Sequence, residues 1–406
     1  MRMYFRFLTC GPLVFASLTL PLCPSVSTAS VSLDQRFNLT ASDPAANDRL
    51  GTRIAIGGDS VVAAGDFDND NYYVFDRATG NERFKLPIPI PGDSRWFLGS
   101  SVAADGNTAV VSGSRSDPSA YVFDLTTGLQ QHHLTPDAPI PSSGYGQSVA
   151  VSGSLAVVGA YKDGSQDANL GGSAYIFDTT TGNQLQQLTA DDPSANAFLG
   201  SSVAIDGNIA VLGAPRFNSG DTGLGSAYLF DVSTGNQLFK LTGSDTVAGD
   251  YFGLSVSISG NLAVVGSPSA GEAYVFDVTT GEELFKLTAS DAVPGQLGFF
   301  GYTVSISHNT VIVGAHGDAS GSGAVYLFDV TTGAELTKLV AAEDNLGAFG
   351  FSVALSGNTA AIGTRNDTIN EEFRSGSAYI FDIVPEPGTL SVMSVGGMLL
   401  LRARRT

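Results

Sequence analysis

"RFNLTASDP", residues 36–44, opens the repetitive part of this chain, and near-copies of it lie deep in the interior as "LFKLTGSDT" (238–246) and "LFKLTASDA" (284–292). The interior copies end a longer unit, for example "GSAYIFDTTTGNQLQQLTADDP" (172–193): an apolar run, a polar turn and a second apolar run. The last unit, "GSAYIFDIVPEP" (376–387), stops after its first apolar run. A surplus second run at the front and a missing one at the back are complementary. Phe37 and Leu39 take the places of Phe239 and Leu241, so the front segment is expected to complete the last unit and close a ring. An open stack of repeats has no use for such a permutation.

The unit recurs seven times, marked by Phe-Asp at Phe75, Phe123, Phe177, Phe230, Phe276, Phe328 and Phe381, with spacings of 46 to 54 residues. Each period holds four short runs rich in Val, Ile, Leu, Phe and Tyr, bounded by Gly, Asn, Ser and Thr. In the fifth copy these are "LSVSIS", "LAVVGS", "EAYVFD" and "ELFKLT". No helical period of useful length occurs. Four strands per period of about 50 residues is the pattern of a propeller blade. The second and third runs are apolar on both faces, as strands sandwiched between neighbouring sheets must be. The expected fold is all-β: a seven-bladed β-propeller over residues 30–383, with four antiparallel strands per blade and the N-terminal strand completing the last.

"FDTTTGN" (177–183) reads as the hairpin between third and fourth strands. Asp178 accepts backbone N–H groups and Gly182 supplies a positive φ, so the motif is structural. The turns between first and second strands are Gly-Asn dipeptides such as Gly207-Asn208 and Gly260-Asn261. Both turn types fall on one monotonous face. The opposite face carries loops that differ, as in "GAYKDGSQDANLGGS" (159–173), "GSPSAGE" (266–272) and "GTRNDTINEEFRSGS" (363–377). Variable loops on a rigid scaffold are where binding is expected. Just past the second strands stand Arg115, Lys162, Arg216, His316 and Arg365, a candidate ring around the mouth that grips an anionic sugar or pairs with adjacent aspartates. In "GDFDNDNYY" (65–73), Asp66, Asp68 and Asp70 alternate as oxygen ligands for Ca²⁺ do, although the glycine and closing acid of a calcium loop are missing. No other cofactor is expected.

Composition narrows the function. With 20 Lys+Arg against 39 Asp+Glu, the chain carries a formal charge of −19, which repels phosphate backbones and argues against nucleic acid. Four histidines, His132, His133, His308 and His316, are too few and too scattered for a Ser/His/Asp set, and neither a zinc motif nor a P-loop occurs. At the N-terminus Arg2 and Arg6 precede an apolar stretch ending in Ser27-Thr28-Ala29, so residues 1–29 read as an export signal. Both cysteines, Cys10 and Cys23, lie within it, and the exported chain is expected to hold no disulfide or cysteine-bound metal.

"FGLSVSISGNLAVVGSP" (252–268) resembles the FG-GAP repeat of integrin-type β-propellers, with Phe252-Gly253 as its "FG" and Gly213-Ala214-Pro215 giving "GAP" in the preceding blade. The resemblance spans about residues 36–383 and implies the propeller architecture. The family's calcium loop between those elements is shrunk here to Ser259-Gly260-Asn261 and its equivalents, so its calcium ligands have no counterparts. "VPEPGTLSVMSVGGMLLLRARRT" (384–406) resembles a PEP-CTERM sorting signal: Pro385-Glu386-Pro387, an apolar segment, then Arg402, Arg404 and Arg405. That likeness implies processing at Pro385, Glu386 and Pro387 by an exosortase-type enzyme, transient membrane association, and a Gram-negative surface or matrix rich in polysaccharide. "YVFDVTTGEEL" (274–284) is also similar to the turns of quinoprotein propellers, whose docking tryptophans are reduced here to Trp96. The expectation is an exported, monomeric, non-enzymatic propeller that binds a glycan or an envelope protein through its variable face. A quinoprotein-like enzyme and a coat protein without a specific ligand are the alternatives.

Overall fold

The computed structural model describes residues 31–65, 71–88, 101–113, 119–140, 143–164, 171–192, 197–215, 224–293, 298–318, 321–340 and 347–385. They lie within one compact unit, Ser30–Pro387. Twenty-eight strands, β1 to β28 in chain order, form seven antiparallel sheets of four. Blade five shows the plan: β18 (Ser255–Ser259), β19 (Leu262–Ser267), β20 (Glu272–Asp277) and β21 (Glu283–Leu287), each paired with the next. The middle strands are buried on both faces, and side chains from adjacent blades form shared apolar clusters such as Val264, Val275, Val311 and Phe328 between blades five and six.

The ring closes as the sequence predicts. β1 (Val31–Leu39) is the outer strand of the sheet built from β26 (Phe349–Ser356), β27 (Thr359–Thr364) and β28 (Ser377–Pro385). Its register reproduces that of a blade made from continuous chain. Gln35 faces Phe381, Phe37 faces Ile380 and Leu39 faces Ala378, with a bulge between the first two pairs. In blade four Gln237 faces Phe230, Phe239 faces Leu229 and Leu241 faces Ala227, with the bulge in the same place. Pro385 ends β28 opposite Val31, so the closing strand extends into the Pro-Glu-Pro motif. The inner strands complete the circle: β2 (Arg53–Gly57) packs on β6 (Val102–Asp105) at one side and on β26 at the other.

Three tiers of hydrogen bonds tie neighbouring blades together around the axis. At the variable face, Ser148, Ser202, Ser255 and Ser352 donate Oγ–H to the carbonyls of Gly200, Gly253, Gly301 and Gly51 at 2.7–2.9 Å. Midway, Ser257 and Ser305 accept the N–H groups of Ile306 and Leu355. At the monotonous face, Asp105, Ser152, Asp206, Ser259 and Ser307 accept the turn N–H groups of the following blade. The two turn types do share that face. The residue after each Phe-Asp donates its N–H to the first turn of its own blade, as Val232 does to Asn208 and Val278 to Asn261. Asp178 Oδ1 accepts Thr180 N–H and Oγ1–H, and Gly182 has φ +75°.

The rim has its own fastening. Tyr73, Tyr228, Tyr274 and Tyr326 of third strands face Lys85, Lys240, Lys286 and Lys338 of fourth strands. Each lysine reaches an aspartate of the crossing from the preceding blade: Asp43, Asp192, Asp245 or Asp291. The lysine bonds hold the Asp245 and Asp291 carboxyls below their usual range. Beside them Ser42, Ser244 and Ser290 give N–H and Oγ–H to Glu82, Glu283 and Glu335. "ELFKLTASD" (283–291) is thus a fastener: its Glu and Lys reach back one blade, its Ser and Asp forward one. Such exposed pairs contribute about 0–1 kcal/mol each.

Two predictions test closure. Leu39 is fully buried, so Leu39→Ala should cost about 2–5 kcal/mol, as Leu241→Ala should in an unbroken blade; equal losses in urea midpoint are expected, and an unmoved midpoint for Leu39→Ala alone would contradict the closed ring. At the same seam Ser352→Ala should cost about 1 kcal/mol. Gly363→Ala should be far worse, because an added Cβ would sit 1.8 Å from the Gly51 carbonyl oxygen; similar melting temperatures for the two variants would refute this packing.

Candidate functional site

The first strands enter the ring from the variable face at a Phe-Gly, Leu-Gly or Tyr-Gly pair, which precedes the strand or, as at Tyr145-Gly146 and Phe349-Gly350, opens it. The glycine takes a positive φ, +92° at Gly253 and +87° at Gly301, and the chain turns there into the inner strand. The following residue stands at the mouth of the axial channel. Thr52, Gln147, Ser201, Leu254, Tyr302 and Phe351 occupy this position in blades one, three, four, five, six and seven, and all line one cavity of about 590 Å³. One residue deeper come Arg53 and the belt of serines that bond the glycine carbonyls, Ser148, Ser202, Ser255 and Ser352, and below them valines such as Val203 and Val304. All seven blades contribute, so the cavity exists only in the closed ring.

Blades six and seven build an aromatic wall. The Tyr302 and Phe351 rings lie 5.2 Å apart at 50°. His316 is packed edge-on against both, at 4.4 and 5.1 Å, and stacked on Phe299 at 5.1 Å. The Arg365 guanidinium lies over Phe351 at 4.7 Å. Across the mouth Tyr161 also lines the cavity, with Lys162 Nζ 5.0 Å from its ring and Phe198 at 5.8 Å. Burial and the charge of Arg365 push the His316 imidazole down to about 4. It is therefore neutral at pH 7, and its buried Nδ1 has no hydrogen-bond partner.

The sequence-predicted residues fall into two groups. Lys162, His316 and Arg365 do stand on the variable face, but behind the cavity wall: each lies against a ring that lines the mouth. The expected ring of cations is replaced, at these positions, by aromatic side chains with basic groups packed against them. Arg115, Arg216, the Asp66/Asp68/Asp70 run, Glu386 and Pro387 lie outside the described residues, as do residues 1–29. Among the described residues no group of three or more His, Cys, Asp or Glu could hold a metal ion, and no helix is long and apolar enough to cross a membrane. His133 proves to be a strand residue, in β9 (Gln130–Leu134), stacked on Tyr121 at 4.7 Å where other blades place the rim lysine. The mouth residues themselves were not singled out from sequence. Their signal is the one variable position between an invariant glycine and the serine or its substitute: "FGLS", "FGYT", "FGFS", "YGQS".

Carboxylates are present nearby, but they serve the loops. Asp163 accepts hydrogen bonds from Ser173, Tyr175 and Gln187, and Asp367 from Ser377 and Tyr379. Both are buried, and burial raises the Asp367 carboxyl above its usual range. Among the described residues that line the cavity, Arg53 alone is charged. Hydroxyl, amide and aromatic groups make up the rest of the polar lining, a set suited to holding a ligand.

The low imidazole value has a testable consequence. Between pH 6.5 and about 4 the unfolded chain takes up a proton at His316 that the folded chain refuses, so stability contributed by the neutral ring is lost as pH falls through that window. His316→Phe should lose less stability than the wild type between pH 7 and pH 4.5 in urea titrations; parallel losses would show that the imidazole is not buried against Arg365.

A family model described as FG-GAP repeat matches residues 129–177, 183–230, 236–276, 282–328 and 334–381, together more than half of the chain. Each matched segment begins at a fourth strand and ends at the third strand of the next blade. A search among curated proteins found no match. The repeats, their seven-fold ring and this match agree: the chain belongs to the FG-GAP repeat family.

Proposed function

We propose that this protein is an exported, non-enzymatic propeller of a Gram-negative surface or extracellular matrix, and that it binds a glycan or an envelope protein through the variable face. The observation that carries the reading is the cavity at the mouth of the channel. At the six described mouth positions otherwise uniform blades present six different side chains, while the opposite face repeats the same turns. A cavity of about 590 Å³ lies within the roughly 300–1,000 Å³ usual for small-ligand sites. Absence of a nucleophile–base pair from the described lining favours recognition over catalysis. Exposed apolar side chains also occur on the crossings and loops of the variable face, among them Val247, Val293, Phe299 and Phe373.

Export rests on the N-terminal signal, and sorting on the likeness of residues 384–406 to a PEP-CTERM tail, which an exosortase-type enzyme would process near Pro385-Glu386-Pro387. Two experiments test these parts. Against a glycan array and envelope proteins, the full chain should bind at least one ligand, with about tenfold or greater loss on Phe351→Ala and none on turn changes such as Asn208→Ala. Indifference to every ligand would favour a coat protein instead. Deleting residues 388–406, which spares β28, should move the protein from the cell surface to the medium or periplasm on fractionation; an unchanged distribution would remove the sorting assignment.

A further inference from the structure

The turn that leads into the inner strands is strained, and in three blades an aromatic residue carries the strain. Mouth residues donate their N–H to the carbonyl three residues back, as Gln147 does to Gly144, Ser201 to Phe198 and Tyr302 to Phe299 at 3.0–3.1 Å. The accepting residue has left-handed backbone, which crowds a Cβ against a carbonyl oxygen and favours glycine. Gly144, at φ +68°, shows that glycine satisfies this turn. Blades four, five and six nevertheless place Phe198, Tyr251 and Phe299 there, at +61°, +58° and +57°. Bulky side chains held on such backbone point to function.

These rings stand around the cavity rather than in its lining. Phe299 is 41% exposed and stacked on His316, and Phe198 lies 5.8 Å from Tyr161. With Tyr161, Tyr302 and Phe351 inside, they make two aromatic tiers, and flat rings suit the C–H face of a sugar. Between the rings, Ser148, Ser202, Ser255 and Ser352 give their protons to glycine carbonyls, and Thr52 and Ser201 give theirs to the Arg49 and Phe198 carbonyls. A hydroxyl whose proton is committed offers lone pairs. The six together favour a ligand rich in O–H donors.

Charges near the mouth are engaged within the protein. Arg53 Nη1 donates to the Thr52 carbonyl at 2.9 Å, and both Arg53 and Arg365 have further partners. Asp163 and Asp367 are 1% and 2% exposed and accept hydrogen bonds from neighbouring hydroxyls. None of these groups is offered to a ligand, and a net charge of −19 opposes an anion at long range. The geometry points to a neutral polysaccharide as the ligand. One sugar lies on the Tyr302 and Phe351 rings and donates its hydroxyls to the serine tier, while neighbouring sugars reach outer rings such as Phe299. The inference rests on the binding function proposed above and specifies its ligand and its outer contacts.

Isothermal titration of the full chain with the neutral hexasaccharides cellohexaose, mannohexaose and galactohexaose, and with the galacturonic acid hexasaccharide, tests it. At least one neutral sugar should bind, and the uronate should bind no tighter. Raising salt from about 50 to about 500 mM should leave the neutral affinity unchanged. Tyr302→Leu, on unstrained backbone, should weaken that binding about tenfold or more. Phe299→Gly should weaken it by a similar factor yet melt no lower than the wild type, because glycine relieves the left-handed turn. A ring with only a structural role would show the reverse. A lower melting temperature for Phe299→Gly, or an unchanged affinity, overturns the outer tier. Tighter binding of the uronate, or full affinity in Tyr302→Leu, overturns the proposal. If every neutral sugar fails while the uronate or an envelope protein binds in a Phe351-dependent way, the ligand is wrong and the binding function stands. If nothing binds, both fall.

Discussion

Close approach of each inner strand to its neighbour is the constraint on which the structure depends. A serine of one blade hydrogen-bonds the carbonyl of the glycine that starts the next, and that carbonyl also abuts the α-carbon of a second-strand glycine. An added Cβ at Gly159, Gly213 or Gly266 would lie 2.0 Å from that oxygen. The three elements, serine, turn glycine and strand glycine, recur because they are one contact. Blade one has Arg53 for the serine and Ala64 for the glycine. At the following junction Ser112 Oγ accepts the Ser101 N–H, and Tyr72 OH donates to the Ser101 carbonyl.

Closure follows from the same geometry. The family match runs from fourth strand to third, and in that phase the chain holds seven units without interruption, the first beginning at β1. The apparent gap in the last blade belongs to the choice of starting point. What makes the ring physical is that β1 and β28 come from opposite ends of the propeller, so about 340 residues must fold before Phe37 meets Ile380. Contacts that distant in sequence form late and cost loop entropy. The Arg36–Asp382 pair at 3.4 Å is exposed and adds little; Leu39, fully buried, carries the seam.

Much of this was legible in the sequence, because a repeat states its contacts several times. Blade count, strand order, the alignment of β1 with the other fourth strands and the division into a plain and a variable face follow from motifs that pattern alone exposes. The rim fastener was written in several blades, yet its partners lie about 40 to 50 residues apart, as Ser244 and Glu283 do, and pattern gives no distance between strands of different blades. The site was half legible. Residues past the second strands drew notice because they are basic. Position after the glycine decides which side chains line the cavity, and those at Tyr302 and Phe351 look, in sequence, like ordinary apolar residues at the start of a strand.

The belt also explains how one ring can carry a specific site without losing its fold. Serine and glycine fix the blade spacing through groups that face the neighbour. The mouth side chain, one residue away, takes no part in the Ser–Gly belt contact and can change from Thr52 to Leu254 to Phe351 without altering that spacing. Changes there alter the ligand, whereas changes one residue deeper alter the belt. His316 marks the border between the two regimes. Burial and the charge of Arg365 keep it neutral near pH 7, and its ring is already packed against Phe299, Tyr302 and Phe351 before any ligand arrives. A wall ordered in advance loses little entropy on binding, which is the advantage of building recognition at the axis of a closed ring rather than on its longest loops.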